Sequence, residues 1–161
     1  MWRLEDCIRY EPNTGVLIWK ERVNKNISIG QIIGTKHSKG YLFFRLNRKF
    51  YFCHRVAWFL HTGFWPVGEI DHENGVKSDN RINNLRDVTH QQNMWNKTSQ
   101  KNTSSAYKGV HKIKTSGKWR ATLWNGFSKL HLGTFTDEKE AALAYDAEAR
   151  RVFGEYARTN F

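Results

Sequence analysis

The sequence predicts a two-domain α+β protein, on three observations. Alternating and helical hydrophobic periods follow one another along the chain, so neither strands nor helices fill it alone. Glycines and turn dipeptides punctuate short apolar runs throughout. A polar stretch without periodicity, KTSQKNTSSA, divides two patterned parts. The expected layout is a first domain over 1–97, a linker over 98–106 and a second domain over 107–161.

The first patterned segment, RYEPNTGVLIWKERV, places Pro12-Asn13-Thr14-Gly15 between Tyr10 and the apolar group Val16 to Trp19. That is turn chemistry, and it predicts a small β-hairpin. Tyr41–Leu46 and Lys49–Cys53 read as two further strands around a tight turn. From His54 the period changes, and Val56, Ala57, Leu60 and their aromatic neighbours predict a short buried helix ending near Gly63. His54 itself has two readings: a histidine locked by a backbone hydrogen bond at the strand-to-helix corner, or a residue close to or supporting a functional site. Pro66 and Gly68 then break the chain ahead of EIDHENGVKSDNRINNLRDVTHQQNMWNK, residues 69–97. This stretch reads as strand, polar loop, strand, helix.

In the second part, Lys108–Ile113, Lys118–Trp124 and Lys129–Phe135 predict three strands, with Asn125-Gly126 as a strong hairpin signal. Thr136 or Asp137 caps a helix running to Phe153, with Glu138 and Glu140 in its first turn and Arg150 and Arg151 in its last. Alternation turns Trp119, Ala121 and Leu123 toward that helix, leaving Arg120, Thr122 and Trp124 on the other face. In the third strand the same phase sends Leu130 and Leu132 inward and Lys129 and His131 outward.

The formal net charge is +11. No acidic residue lies between Glu21 and Glu69, where there are eight Lys or Arg; seven more lie in an acid-free run from Lys101 to Thr136. Both runs carry interleaved aromatics, which suits a folded surface facing phosphates. Double-stranded DNA is therefore the expected partner. An anionic membrane is disfavoured, since no basic amphipathic helix stands out and no run approaches the ~18 apolar residues of a span. Cys7 and Cys53 form no CxxC pair and read as reduced thiols, and the first residues show no secretory core, so a cytoplasmic protein is expected.

The chemistry concentrates in residues 69–97. Phosphodiester hydrolysis needs an activated water, a cation to offset charge on the phosphoryl oxygens and help for the departing oxygen. Asp71 and the amide oxygen of Asn93 suit a hard divalent ion such as Mg²⁺ or Mn²⁺. His72, adjacent to Asp71 on extended chain, emerges on the opposite side and suits a general base. Asn84 can tie the returning strand to the loop carrying His72, preorganising the base. Each signal is weak alone; their order on a strand–loop–strand–helix pattern in a basic chain is specific.

IDHENGVKSDNRINNLR resembles the ββα-metal motif of HNH endonucleases, especially the phage and intron-encoded homing enzymes with IDHxNGxxxDNRxxNLR. The likeness, with TGVLIW, GYLFFRL and HRVAW before it, covers about residues 8 to 97. It implies metal ligands at Asp71 and Asn93, a base at His72, a structural Asn84, and a nuclease that nicks or cuts duplex DNA. Cutting both strands asks for sequential action or a homodimer.

YKGVHK, GKWRAT, LHLGTF and EKEAALAYDAEARRVFGEYARTNF resemble the plant Apetala/ethylene-response-factor DNA-binding domain over residues 107 to 161. That implies a three-stranded antiparallel sheet packed on one helix, reading the major groove. The expected DNA-facing residues are Lys108, His111, Ile113, Lys118, Arg120, Thr122, Trp124, Lys129 and His131, with Arg55 from the first domain. His111, Ile113, Thr122, Trp124 and His131 stand where the plant domains mostly carry Arg, Glu or Trp, so the plant target sequence does not transfer. The competing expectations are a DNA-binding regulator that does not cut, and an RNA binder.

Overall fold

A computed structural model describes residues 2–97 and 103–161. Most of the expected linker, residues 98–102, lies outside the described residues. The described chain forms two compact units, Met1–Thr89 and His90–Phe161, so the division falls ahead of the polar stretch rather than within it.

The first unit begins with one helical turn, α1 (Leu4–Cys7), and the hairpin β1 (Ile8–Glu11) and β2 (Val16–Trp19), extended by β3 (Ile32–Ile33). A second small antiparallel sheet contains β4 (Thr35–Lys36), β5 (Leu42–Leu46) and β6 (Lys49–Phe52). The β5–β6 turn puts Asn47 and Arg48 at φ 51° and 64°, two successive left-handed residues that match the twist of a hairpin. Helix α2 (Cys53–Thr62) leaves β6 without a break, buries Cys53, His54, Val56 and Ala57, and stops at Gly63, whose φ of 81° lets its N–H reach Phe59 O. Two strands, β7 (Glu69–His72) and β8 (Leu85–Val88), close the unit as an antiparallel pair joined through a loop and a 3₁₀ turn at Ile82–Asn84.

The core of this unit gathers Cys7, Ile8, Leu17, Trp19, Phe44, Leu46, Cys53, Val56, Ile70 and Leu85 around α2. Both cysteines are buried free thiols, and burial pushes the Cys53 thiol up to about 12. Two elements escaped the sequence patterns, α1 and the β3–β4 corner, because runs of two to four residues show no readable period.

The second unit opens with α3 (His90–Trp95), then β9 (Val110–Lys112), β10 (Trp119–Trp124), β11 (Lys129–Phe135) and α4 (Glu138–Phe153). The sheet is antiparallel in the order β11-β10-β9. Asp137 caps α4 by accepting from Glu140 N at 2.9 Å, and Ala141, Ala142, Tyr145 and Ala149 bury its inner face against Val110, Ala121 and Leu123. Lys129 and His131 pair with the outward Trp124 and Thr122, and a bulge opposite Ala121/Thr122 then shifts the phase of β11 so that Phe135, paired with Trp119, packs on the core. The closing segment is tied back by Asp146, wholly buried in α4, whose carboxylate accepts from Asn160 N, Asn160 Nδ2 and Phe161 N at 2.8–3.0 Å. Asn160 Oδ1 in turn accepts from Lys108 N at 2.7 Å. The amide of Asn160 thus bridges α4 and the segment leading into β9. Among the described residues no helix is long and apolar enough to cross a membrane.

Candidate active site

Strand β7 carries two of the candidate residues, Asp71 and His72. Successive side chains of a strand point to opposite faces, so Asp71 and His72 diverge although both are buried, at 5% and 4% exposure. Across the ladder Asp71 stands opposite Arg86, and the Arg86 guanidinium donates to Asp71 Oδ2 at 2.6 Å. On the other face, His72 Nε2 lies 3.2 Å from Oδ1 of Asn80, which is 2% exposed. An oxygen there accepts, so Nε2 carries the proton and the lone pair sits on Nδ1. Burial pushes the His72 imidazole below its ordinary value; the Asn80 hydrogen bond and the carboxylates of Asp71 and Asp79 oppose that shift.

The loop between the strands is cross-linked by its own polar groups. Asn84 O accepts from Glu73 N at 2.9 Å, Asn84 Oδ1 from Asn74 N at 2.9 Å, and Asn84 Nδ2 donates to Asp79 O at 2.8 Å. Asn84 thus ties the return to the loop through main-chain groups, while the residue meeting the imidazole is Asn80. Sequence reasoning missed Asn80; in a loop rich in asparagines nothing local distinguishes the one that turns inward.

Asp79 is the second hub, accepting from Arg81 Nε at 2.8 Å, Arg81 Nη2 at 2.6 Å and Asn74 Nδ2 at 2.7 Å. The Arg81 hydrogen bonds, helped by Asn74, hold its carboxyl down to about 2. The folded value lies below the ordinary 3.8, so this stabilisation is complete above that value and is lost as pH falls toward 2. The thermal midpoint is expected to drop between about pH 4 and pH 2, and Asp79→Asn to flatten part of that drop in calorimetric scans at stepped pH.

The loop also leans on the N-terminal hairpin. Tyr10 OH donates to Asn80 O at 2.7 Å, Ile82 N to Pro12 O at 3.0 Å, and Gly15 lies directly against the Asn80–Arg81 peptide. Arg55, expected at DNA, is half-buried, and its guanidinium donates to Pro66 O and Gly68 O at 3.4 and 3.2 Å, bracing the entry into β7.

Asn93 stands half-buried in α3, within the second unit, so of the two expected oxygen donors the first unit contributes Asp71. Among the described residues no three His, Cys, Asp or Glu side chains converge, so the donors do not make a zinc-type cage. A carboxylate and an amide oxygen fit a hard divalent ion that takes most of its shell from water and phosphate.

On the second unit, the face of the sheet away from α4 displays His111, Arg120, Trp124, Lys129 and His131, all exposed, and Lys118 is exposed at its rim. Three expected contacts are less available. Thr122 points to that face but is only 7% exposed, Ile113 is half-buried, and Lys108 donates to Trp95 O at 2.5 Å. Helix α3 packs alongside the sheet and α4: Trp95 stacks on Phe153 at 4.6 Å and Gln91 Nε2 approaches Asn125 O at 3.5 Å. Between them remains a cleft of about 700 Å³ lined by Met94, Trp95, His111, Thr122, Trp124 and Lys129. Burial pushes the Lys108 ammonium down to about 8, and His111 is lowered by burial and by Lys129 and Arg120.

Residues 51–95 match the family model described as HNH endonuclease. The chain is 36% identical over 91 residues to an uncharacterized HNH endonuclease of Acanthamoeba polyphaga mimivirus, covering 57% of this chain and 46% of that protein. It is 48% identical over 61 residues to dehydration-responsive element-binding protein 2D of Arabidopsis thaliana, covering 37% of this chain and 29% of that one. A third relative, an Arabidopsis AP2/ERF and B3 domain-containing transcription repressor, is 36% identical over 92 residues, 57% of this chain and 20% of its own. The chain spans less than half the length of each of these relatives. The match to the HNH endonuclease model thus runs over α2, β7, β8 and α3, with Asp71, His72 and Asn84 among the matched residues, in a chain also similar to plant AP2/ERF proteins.

Proposed function

We propose that this protein is a metal-dependent endonuclease of the homing type that hydrolyses phosphodiester bonds in double-stranded DNA. The observation that carries the reading is the state of His72: a buried imidazole on β7, proton fixed on Nε2 by Asn80, with its basic lone pair on Nδ1. In this reading β7, β8 and α3 are the two strands and the helix of a ββα-metal motif.

His72 Nδ1 takes the proton of the attacking water, and burial keeps the imidazole neutral and ready to do so near pH 7. Asp71 and Asn93 would hold one Mg²⁺ or Mn²⁺, which would offset charge on the phosphoryl oxygens. Arg86 orients the Asp71 carboxylate from the neighbouring strand. Asn84 fixes the loop main chain, so that His72 and Asn80 keep their mutual geometry. The exposed His111, Lys118, Arg120, Trp124, Lys129 and His131 engage the duplex. One site per chain nicks; a homodimer makes the double-strand break. The host-cell cytoplasm is the expected place of action.

Supercoiled plasmid incubated with the protein and Mg²⁺ or Mn²⁺ is expected to convert to the nicked or linear form, and EDTA to stop the conversion. Retained DNA binding with no conversion under either metal would replace this reading by that of a non-cleaving regulator.

A further inference from the structure

One buried titratable group near the site has no part in the chemistry above. His54, in the first turn of α2, is 6% exposed, and its Nδ1 is buried without a hydrogen-bond partner. Leaving a buried polar atom unsatisfied costs free energy, and an apolar ring would avoid that cost. The expectation that His54 is locked at the corner by a main-chain hydrogen bond is not met at that nitrogen.

The ring nonetheless sits among well-defined neighbours. It stacks on Phe52 at 5.4 Å, tilts against Tyr41 at 5.1 Å and meets the His72 ring edge-to-face, 5.2 Å between centroids at 78°. Tyr41 also touches His72 directly, at 5.9 Å. The His72 imidazole is therefore bounded by two rings and by the Asn80 amide. The two rings packed against it restrict its rotation about the side-chain torsions.

We infer that His54, with Tyr41, is a positioning residue that holds the His72 imidazole in its working orientation. The inference rests on His72 being the base of the nuclease reading. His54 acts through its ring rather than its nitrogens: no step requires it to gain or lose a proton. Burial pushes its imidazole down to about 3, so it stays uncharged beside His72. A charged ring at that separation would oppose the positive charge that His72 acquires on taking a proton, whereas the neutral aromatic faces of His54 and Tyr41 tolerate it.

The test uses the full chain with His54→Ala, His54→Phe and Tyr41→Leu, read by single-turnover nicking and by NMR of ring-¹³C-labelled histidine. His54→Ala is expected to slow nicking about 30- to 100-fold, the scale of a misplaced catalytic group, with half-saturating plasmid concentration changed less than about twofold. His54→Phe restores the aromatic wall and is expected to recover the rate to within about fivefold of wild type. In the spectra, the His72 Cε1–H signal is expected to lose its ring-current shift in His54→Ala and keep most of it in His54→Phe. Tyr41→Leu, a half-buried position, shows the same pattern in weaker form and serves if His54→Ala does not fold. Wild-type rate and an unmoved His72 signal in His54→Ala overturn the inference and leave the nuclease reading standing. A loss that His54→Phe fails to restore overturns it too, by assigning the effect to a nitrogen. If the wild-type protein nicks nothing, the nuclease reading is what fails, and the His72 signal still decides whether His54 orients that ring.

Discussion

His72→Ala is expected to lower the rate of plasmid nicking by about 10²- to 10⁴-fold, the usual contribution of a positioned general base. The imidazole lies buried on β7 next to Asp71, and Asn80 fixes its tautomer so that Nδ1 is the basic atom. Alanine leaves no group at that place to accept a proton, and the buried site gives bulk water little room to act instead. DNA affinity should change little, because His72 is 4% exposed and the cationic side chains available to phosphates lie elsewhere. The substitution also strands Asn80 Oδ1 in a residue 2% exposed, so a stability loss of about 1–3 kcal/mol accompanies it. Rates compared at a temperature where denaturation curves show both proteins folded separate the two effects. Undiminished nicking by the variant would remove His72 from the chemistry.

The second large effect is expected far from the motif in sequence. Gly15→Ala should destabilise the first unit by about 2–4 kcal/mol, combining left-handed strain with a clash against main chain. Gly15 has φ +76°, and a Cβ there would lie 2.5 Å from Arg81 N and 2.6 Å from Asn80 C. Those atoms belong to the peptide that carries Asn80, so relief of the clash moves the partner of His72. Nicking should therefore fall by about tenfold or more even in protein that remains folded. Gly30→Ala is the control: φ is +85° there, but nothing lies within 4 Å of the added Cβ, so only the conformational cost of about 1–2 kcal/mol applies. Equal urea midpoints for the two variants would show that the hairpin does not bear on the loop.

Much of the architecture is local and was legible for that reason. The β1–β2 hairpin follows from Pro-Asn-Thr-Gly, the β10–β11 hairpin from Asn-Gly, and α4 from its three- and four-residue apolar spacing between an Asp cap and a terminal Gly. The order Asp71, His72, Asn84, Asn93 was readable because the motif is compact along the chain. Asn80 was not, since what selects it is a hydrogen bond from Tyr10, seventy residues away in sequence. Arg55 read as a free cation because the carbonyls that engage it, on Pro66 and Gly68, lie in a turn whose path the sequence does not specify. Thr122 alternates outward as its phase demands, yet it is only 7% exposed, lining the cleft beside α3.

Residue chemistry and spacing by themselves determined the β-rich hairpins, the capped helix and the basic character, because periodicity, turn preference and charge act over a few neighbouring residues. Tertiary structure decided which asparagine meets His72, that His54 and Tyr41 wall in its ring, that a glycine in the first hairpin supports the loop, and that α3 belongs with the second unit. These are contacts between segments distant in sequence, set by the fit of side chains in three dimensions, and no one-dimensional pattern encodes them.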